Sequence, residues 1–209
     1  MDKSEDNIKM IILGEIAVGK TNLINALIGE DFQENNDSTI SFSFYEGKIK
    51  YRKNSSIYNI TYDVWDTPEP KISRSSMGKL FIKDSKILLI VYSMSDRKSF
   101  QKINVWINFV KENIKNEKYI IALIANKSDL FLNQEVSEEE GENIAKKYNI
   151  DFLTTSAKTD AVTFKEFVNR LIINYIKMTE GGESKEDKKD NLKINKGDKN
   201  DGQKNKKCC

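Results

Sequence analysis

The chain of 209 residues is rich in charge, but 34 lysines and arginines nearly balance 32 aspartates and glutamates, leaving a net charge of +2. So small an excess does not indicate nucleic-acid binding. The absence of histidine excludes imidazole from acid–base catalysis and from metal ligation. The only cysteines are Cys208 and Cys209, so no disulfide can bridge the domain, which suits a reducing, cytosolic compartment.

Short apolar runs alternate with amphipathic segments along the chain. In chain order the pattern predicts strand 8–13, helix 20–28, strand 41–51, a hairpin turn at 53–56, strand 57–65, strand 87–92, helix 99–114, strand 119–125, a helix opened by a capping box at 137–140, strand 151–155 and helix 162–176. This alternation implies an α/β fold with a mostly parallel, six-stranded sheet and helices on both faces. The apolar runs are too short to span a bilayer, and residues 1–10 lack the apolar stretch of a signal peptide.

The composition divides the chain into three parts. From residue 179 to 207, apolar residues nearly vanish, and lysine, aspartate, asparagine and glycine dominate. Such a segment cannot bury enough surface to offset the entropy lost on ordering. We therefore expect an N-terminal extension over residues 1–6, a single domain over 7–178 and a disordered tail over 179–209.

The strongest local signal is residues 14–21, GEIAVGKT, which fit the phosphate-binding loop pattern G-x-x-x-x-G-K-[ST] between a predicted strand and a predicted helix. Glycine permits a tight backbone path that aims several N–H groups at one anion, and the helix N-terminus adds partial positive charge. Lys20 would reach the β- and γ-phosphates of a nucleotide, and the Thr21 hydroxyl would ligate Mg²⁺. The alternative is a glycine-bearing turn with a surface lysine.

Residues 126–129, NKSD, follow a predicted strand and indicate guanine rather than adenine. Asp129 can accept hydrogen bonds from guanine N1–H and the exocyclic amine, whereas adenine would leave the carboxylate unpaired. Asn126 would brace the loop and the Lys127 stem would cover the base. After the next strand, residues 156–158 (SAK) would offer backbone N–H groups to guanine O6. Alone, the NKSD pattern is more often a simple turn.

Together, the phosphate loop, residues 65–67 (WDT), NKSD and SAK resemble the Ras superfamily of P-loop GTPases in order and spacing, over about residues 7–178. The Rab branch is the most similar, through Trp65, residues 38–40 (STI), Phe44 and the terminal cysteine pair. The resemblance implies a small GTPase G domain that binds GTP or GDP with Mg²⁺. It also implies a membrane-anchored switch in vesicle trafficking.

The resemblance assigns further roles to individual residues. Thr39 matches the switch I threonine that completes Mg²⁺ coordination when a γ-phosphate is present. Asp66 matches the aspartate that holds Mg²⁺ through water, and Phe32 stands where an aromatic ring lies beside the guanine. The alternatives are a loop hydroxyl, a strand-end carboxylate and a core phenylalanine. The nucleotide-binding set is thus Gly14, Ala17, Val18, Gly19, Lys20, Thr21, Asn22, Phe32, Thr39, Asp66, Glu69, Asn126, Lys127, Asp129, Ser156, Ala157 and Lys158, with Thr21, Thr39 and Asp66 as the metal set.

One segment departs from the family. Where relatives read DTAGQ, residues 66–70 read DTPEP, so Pro70 replaces the glutamine that orients the attacking water. Glu69 replaces a glycine whose N–H meets the γ-phosphate, and prolines on both sides stiffen the backbone. Ile16 stands where relatives carry a small residue. We therefore assign no catalytic residue. We expect slow GTP hydrolysis and resistance to arginine-finger activators. Stimulation by an activator that supplies its own glutamine is left open as an alternative.

Three functional hypotheses follow. The first is a trafficking GTPase, and the second is a hydrolysis-deficient platform that recruits effectors constitutively. The third, a P-loop kinase or ATPase, is disfavoured by NKSD.

Phe44, Trp65 and Phe81 would form either the aromatic patch that Rab effectors contact or ordinary packing.

The chain ends in lysines and the Cys208-Cys209 pair, which is not a C-a-a-X signal. It resembles the double-cysteine ending of Rab proteins and implies geranylgeranylation of both thiols. Two lipids give stable membrane attachment where one is marginal. Free thiols or a fortuitous metal site are the alternative. The resemblance implies a monomer on the cytoplasmic face of an intracellular membrane, with a cytosolic pool, and effector, exchange-factor, escort and GDP-dissociation-inhibitor partners.

Overall fold

The computed structural model describes residues 7–34, 43–53, 56–67, 76–115 and 118–180. In chain order its elements are β1 (Ile8–Gly14), α1 (Lys20–Ile28), β2 (Ser43–Lys53), β3 (Ser56–Asp66), α2 (Ser76–Ile82), β4 (Ile87–Ser93), α3 (Arg97–Gln101), α4 (Ile103–Asn113), β5 (Ile120–Asn126), a 3₁₀ turn (Phe131–Asn133), α5 (Glu138–Tyr148), β6 (Asp151–Thr154) and α6 (Ala161–Thr179).

The six strands form one sheet in the order β2-β3-β1-β4-β5-β6. All neighbours are parallel except β2 and β3, which are antiparallel, and Lys53 pairs with Ser56 at the end where the predicted hairpin turn lies. Strands β1, β4 and β5 are almost wholly buried because helices cover both of their faces. The predicted six-stranded, mostly parallel sheet is confirmed.

Two apolar layers enclose this sheet. On one face, α1 and α6 contribute buried residues such as Leu23 and Phe164. On the other face, α4 contributes Trp106 and Ile107, packed with residues of α2 and α5. In the described part of the chain, no helix has the length and apolar character that crossing a bilayer requires.

The helix predicted at 99–114 is wrong in its start and its continuity. It begins at Arg97 because the Asp96 side chain accepts a hydrogen bond from the Lys98 amide, at 3.0 Å. It is then broken at Lys102, whose amide bonds to the Ser99 carbonyl three residues back, at 3.2 Å. Ser99 is buried and its hydroxyl accepts a hydrogen bond from the Ser93 amide at 3.0 Å, which ties the first turn to the end of β4. Helix α2 and the 3₁₀ turn were not predicted.

The predicted capping box opens α5. The Ser137 hydroxyl accepts a hydrogen bond from the Glu140 amide at 3.3 Å, and the Glu140 carboxylate accepts one from the Ser137 amide at 2.9 Å. Glu140 also forms an ion pair with Arg97 of α3. These hydrogen bonds, first from Arg97 and then from Ser137, lower the pKa of Glu140 to about 2.

We expect Glu140→Gln to destabilise the fold at pH 7 and to matter less in acid. Because the pKa of Glu140 is lower in the folded state, its contribution is complete above the unfolded pKa and is lost as pH falls from about 4.5 towards 2. Urea denaturation midpoints of wild type and variant are compared at pH 7 and at pH 3. The difference between the two midpoints should be smaller at pH 3. The control is Glu142→Gln on the same helix, because Glu142 pairs with the exposed Lys146. A difference in urea midpoint that is the same at both pH values would contradict the stabilising role of the Glu140 charge.

Candidate nucleotide-binding site

Loops that follow four strands meet at one edge of the sheet. The carboxyl ends of β1, β3, β5 and β6 lead into residues 15–19, Thr67, residues 127–129 and residues 155–158. In open α/β sheets this edge is where ligands bind. Most residues that the sequence singled out lie here.

The loop after β1 has a backbone that favours glycine. Gly19 adopts φ 93°, and a Cβ there would stand 2.4 Å from Nδ2 of Asn126. A Cβ on Gly14, at φ 147°, would stand 2.2 Å from the Val91 carbonyl oxygen. Helix α1 begins directly after Gly19, which has no side chain to cap it. The amides of its first turn are therefore placed to bind an anion.

Lys20 folds back across this loop. Its Nζ donates to the carbonyl oxygens of Gly14 at 3.1 Å and Glu15 at 2.8 Å, and the residue is only 6% exposed. The ammonium is thus held inside the curve of the loop. That position suits a contact with nucleotide phosphates.

Two of the three candidate metal ligands, Thr21 and Asp66, meet at the start of α1, next to Lys20. The Thr21 hydroxyl donates to Oδ2 of Asp66 at 2.7 Å, and the Thr67 hydroxyl donates to the Ile12 carbonyl at 2.8 Å, which fastens the end of β3 to β1. The described residues hold no group of three or more acidic, cysteine or histidine side chains arranged to bind a metal. A hydroxyl and a carboxylate are nevertheless the hard oxygen donors that Mg²⁺ uses together with phosphates and water. The residues therefore fit a magnesium ion shared with a nucleotide.

Tyr45 of β2 lies near this carboxylate. Burial raises the pKa of Tyr45, and the negative charges of Asp66 and Glu30 raise it further. The phenol therefore stays neutral at physiological pH.

Asn126 joins three of the loops. Its Nδ2 donates to the Val18 carbonyl at 2.8 Å, and its Oδ1 accepts from the Ala157 amide at 3.1 Å. The residue is 1% exposed. Lys127 follows with φ 65°, and its stem lies over Gly19. The Asn126 side chain therefore connects the loop after β1 to the loop after β6.

The Asp129 carboxylate is anchored through one of its two oxygens. Ser156 donates its hydroxyl to Oδ1 of Asp129 at 2.6 Å, while the same hydroxyl accepts from the amides of Lys158 and Thr159, each at 3.1 Å. Within the described ranges Oδ1 alone has a hydrogen-bond partner. Oδ2 is therefore an acceptor suited to the N–H donors of guanine.

Phe32 lies close to Lys158, the last residue of the SAK motif. The Lys158 ammonium lies 5.5 Å from the Phe32 ring centroid and 3.3 Å from the Glu34 carboxylate. Asn22 fixes the segment that carries Phe32, since its amide both donates to the Gln33 carbonyl at 2.9 Å and accepts from the Gln33 amide at 3.1 Å. Sequence reasoning placed Asn22 in the site but missed this reciprocal pair, which has no local signature.

Sequence reasoning also missed a contact between the phosphate loop and α4. The indole Nε1 of Trp106 donates to the Glu15 carboxylate at 3.0 Å. Ile16, the next loop residue, is 51% exposed. Ala17 lies in the phosphate loop with φ 57°. The predictions for Thr39, Glu69, Pro70 and both cysteines, like those for the N-terminal extension and for the tail beyond residue 180, lie outside the described residues.

We expect Ser156→Ala to weaken guanine nucleotide binding by about tenfold to a hundredfold, because Asp129 loses its anchor and two amides lose their acceptor. Equilibrium titration with a fluorescent GDP analogue measures the change. Ser85→Ala is the matched control, since Ser85 is also a buried serine with a hydrogen-bonded hydroxyl, which donates to the Phe81 carbonyl at 3.3 Å. It precedes β4 and therefore lies at the opposite edge of the sheet. Equal losses of affinity in the two variants would refute the local role of Ser156.

The phosphate loop, the Thr21–Asp66 pair and the carboxylate near SAK define a P-loop G domain, the class that binds guanine nucleotides. The family model for the Ras family matches residues 9–176, and the chain belongs to that family. Ras-family GTPases are nucleotide-binding switches that bind guanine nucleotide, typically with Mg²⁺, and act with regulatory partners. Membership thus supports the same ligand that the geometry fits.

Proposed function

We propose that this chain is a Rab-like, membrane-anchored switch in vesicle trafficking that hydrolyses GTP slowly. The observation that carries the Rab assignment is an aromatic cluster of Phe44, Trp65 and Phe81. The Phe44 and Trp65 rings stack with centroids 5.1 Å apart, and the Trp65 and Phe81 rings are 5.5 Å apart. All three residues are only partly buried, and the neighbouring Leu80 is 67% exposed. A partly exposed aromatic cluster is suited to effector binding.

The slow turnover rests on two positions. Pro70 has no side-chain group to orient water, and Ile16 places an exposed branched side chain on the phosphate loop. The same pair favours a second candidate function, a guanine-nucleotide-binding platform that recruits effectors constitutively. The two candidates differ in the nucleotide that the purified protein retains.

Membrane attachment in this proposal comes from geranylgeranyl groups on Cys208 and Cys209. It would place a monomer on the cytoplasmic face of an intracellular membrane, with a cytosolic pool held by escort and GDP-dissociation-inhibitor proteins. Effectors and an exchange factor complete the expected partners.

The proposal is tested by expressing the full chain in a eukaryotic cell. We expect mass spectrometry to find two geranylgeranyl groups at the C-terminus and imaging to find the protein on vesicles. The variant Cys208→Ser/Cys209→Ser should be cytosolic. Bound nucleotide, followed after purification, should convert slowly to GDP for a cycling switch and stay GTP for a platform. Unmodified cysteines with the wild-type protein in the cytosol would overturn membrane attachment.

A further inference from the structure

The contact between Glu15 and Trp106 places a carboxylate inside a loop suited to phosphate binding. Glu15 is tied at two points: its backbone carbonyl accepts from Lys20 Nζ at 2.8 Å, and its side chain accepts from the Trp106 indole at 3.0 Å. A carboxylate beside phosphates would repel them, and it would compete with them for the Lys20 ammonium.

Trp106 is packed so that its indole is held in place. The residue is 3% exposed, belongs to the apolar layer formed by α4, and meets Phe109 edge to face with ring centroids 6.2 Å apart. A packed ring has one orientation, so the direction of its N–H is fixed. The Glu15 carboxylate is accordingly fixed on the α4 side of the loop.

We propose that Trp106 is a positioning residue that keeps the negative charge of Glu15 away from the bound phosphates and so sustains GTP affinity relative to GDP. Without the indole N–H the carboxylate is released to pair with Lys20. GTP carries more negative charge than GDP and depends more on that ammonium, so its affinity falls further. This inference rests on guanine nucleotide binding, which family membership supports, and not on the trafficking role.

A double-mutant cycle tests the proposal on the full chain with magnesium present. Dissociation constants for fluorescent GDP and a non-hydrolysable GTP analogue are measured for wild type, Trp106→Phe, Glu15→Gln and the double variant. We expect Trp106→Phe to weaken binding of the GTP analogue by about tenfold and of GDP by about threefold. Glu15→Gln keeps the acceptor but removes the charge, so adding Trp106→Phe to it should weaken both nucleotides equally and by less than about threefold.

A packing role for Trp106 predicts a different result. The loss of affinity caused by Trp106→Phe would then be the same whether position 15 carries glutamate or glutamine, and it would be equal for both nucleotides. That outcome would overturn the proposal. Circular dichroism checks that the variants are folded.

A second measurement does not depend on altering Trp106. The chain has two tryptophans, so in a Trp65→Phe background the indole N–H resonance of Trp106 is observed alone by NMR. Replacing a charged acceptor with a neutral one weakens the hydrogen bond. We expect Glu15→Gln to move this resonance upfield, and an unchanged resonance would overturn the proposal.

Discussion

Asn126→Asp is expected to lower guanine nucleotide affinity by about a hundredfold and to destabilise the folded state by about 2–4 kcal/mol. The change keeps the volume of the side chain and the oxygen that accepts from the Ala157 amide. It replaces the donor to the Val18 carbonyl with a carboxylate oxygen, at a site that is 1% exposed. A buried charge against a carbonyl is costly, and the loop before α1 loses its tether.

Titration with fluorescent GDP and urea denaturation measure the two effects. Asn113→Asp is the matched control, because the Asn113 amide also donates to a backbone carbonyl, that of Phe109 at 2.8 Å, but at the end of helix α4. We expect the control to bind nucleotide like wild type. Unchanged affinity in Asn126→Asp would show that the hydrogen bonds from Asn126 to Val18 and Ala157 do not support nucleotide binding.

Restoring the family sequence at four positions should raise single-turnover GTP hydrolysis by about tenfold or more. The variant combines Ile16→Gly with Pro68→Ala, Glu69→Gly and Pro70→Gln. Glutamine supplies the group that orients water, glycine restores backbone freedom, and removal of the exposed isoleucine opens space for the glutamine. Pro70→Gln alone should give a smaller gain because Ile16, Pro68 and Glu69 would still differ from the family sequence.

The control for the isoleucine is Ile57→Gly, since Ile57 is 52% exposed and lies on β3. It should leave the rate unchanged. A wild-type rate as fast as that of the restored variant would show that residues 68–70 do not slow this protein.

Local patterns carried most of the fold prediction. Strands such as β4, from Ile87 to Ser93, are continuous apolar runs because they are buried on both faces, and that signal survives in the sequence. Helix α2 was missed because it is short and lies among residues without a clear period. The break at Lys102 was also missed. The turn before it is tied to β4 through the buried hydroxyl of Ser99, a tertiary contact that helical periodicity does not reveal.

In the candidate site, too, local motifs were predicted and non-local contacts were not. Its motifs have fixed spacing, so the loop residues and Asp129 were identified from sequence. The contacts that hold them are non-local: Trp106 reaches Glu15 across 91 positions, and Ser156 reaches Asp129 across 27. No property of a tryptophan on an apolar helix face distinguishes such a contact from core packing, because both bury the ring.

The bridge made by Asn126 has a consequence for synthesis of the protein. Val18 and Asn126 are 108 positions apart, and Ala157 is a further 31 along. The nascent chain therefore exposes its phosphate loop long before the ribosome has made the residues that brace it. Contacts of such high sequence separation form late. Nucleotide capture must then be one of the last events of maturation, and a chain truncated before β6 would leave the ribosome without a usable pocket.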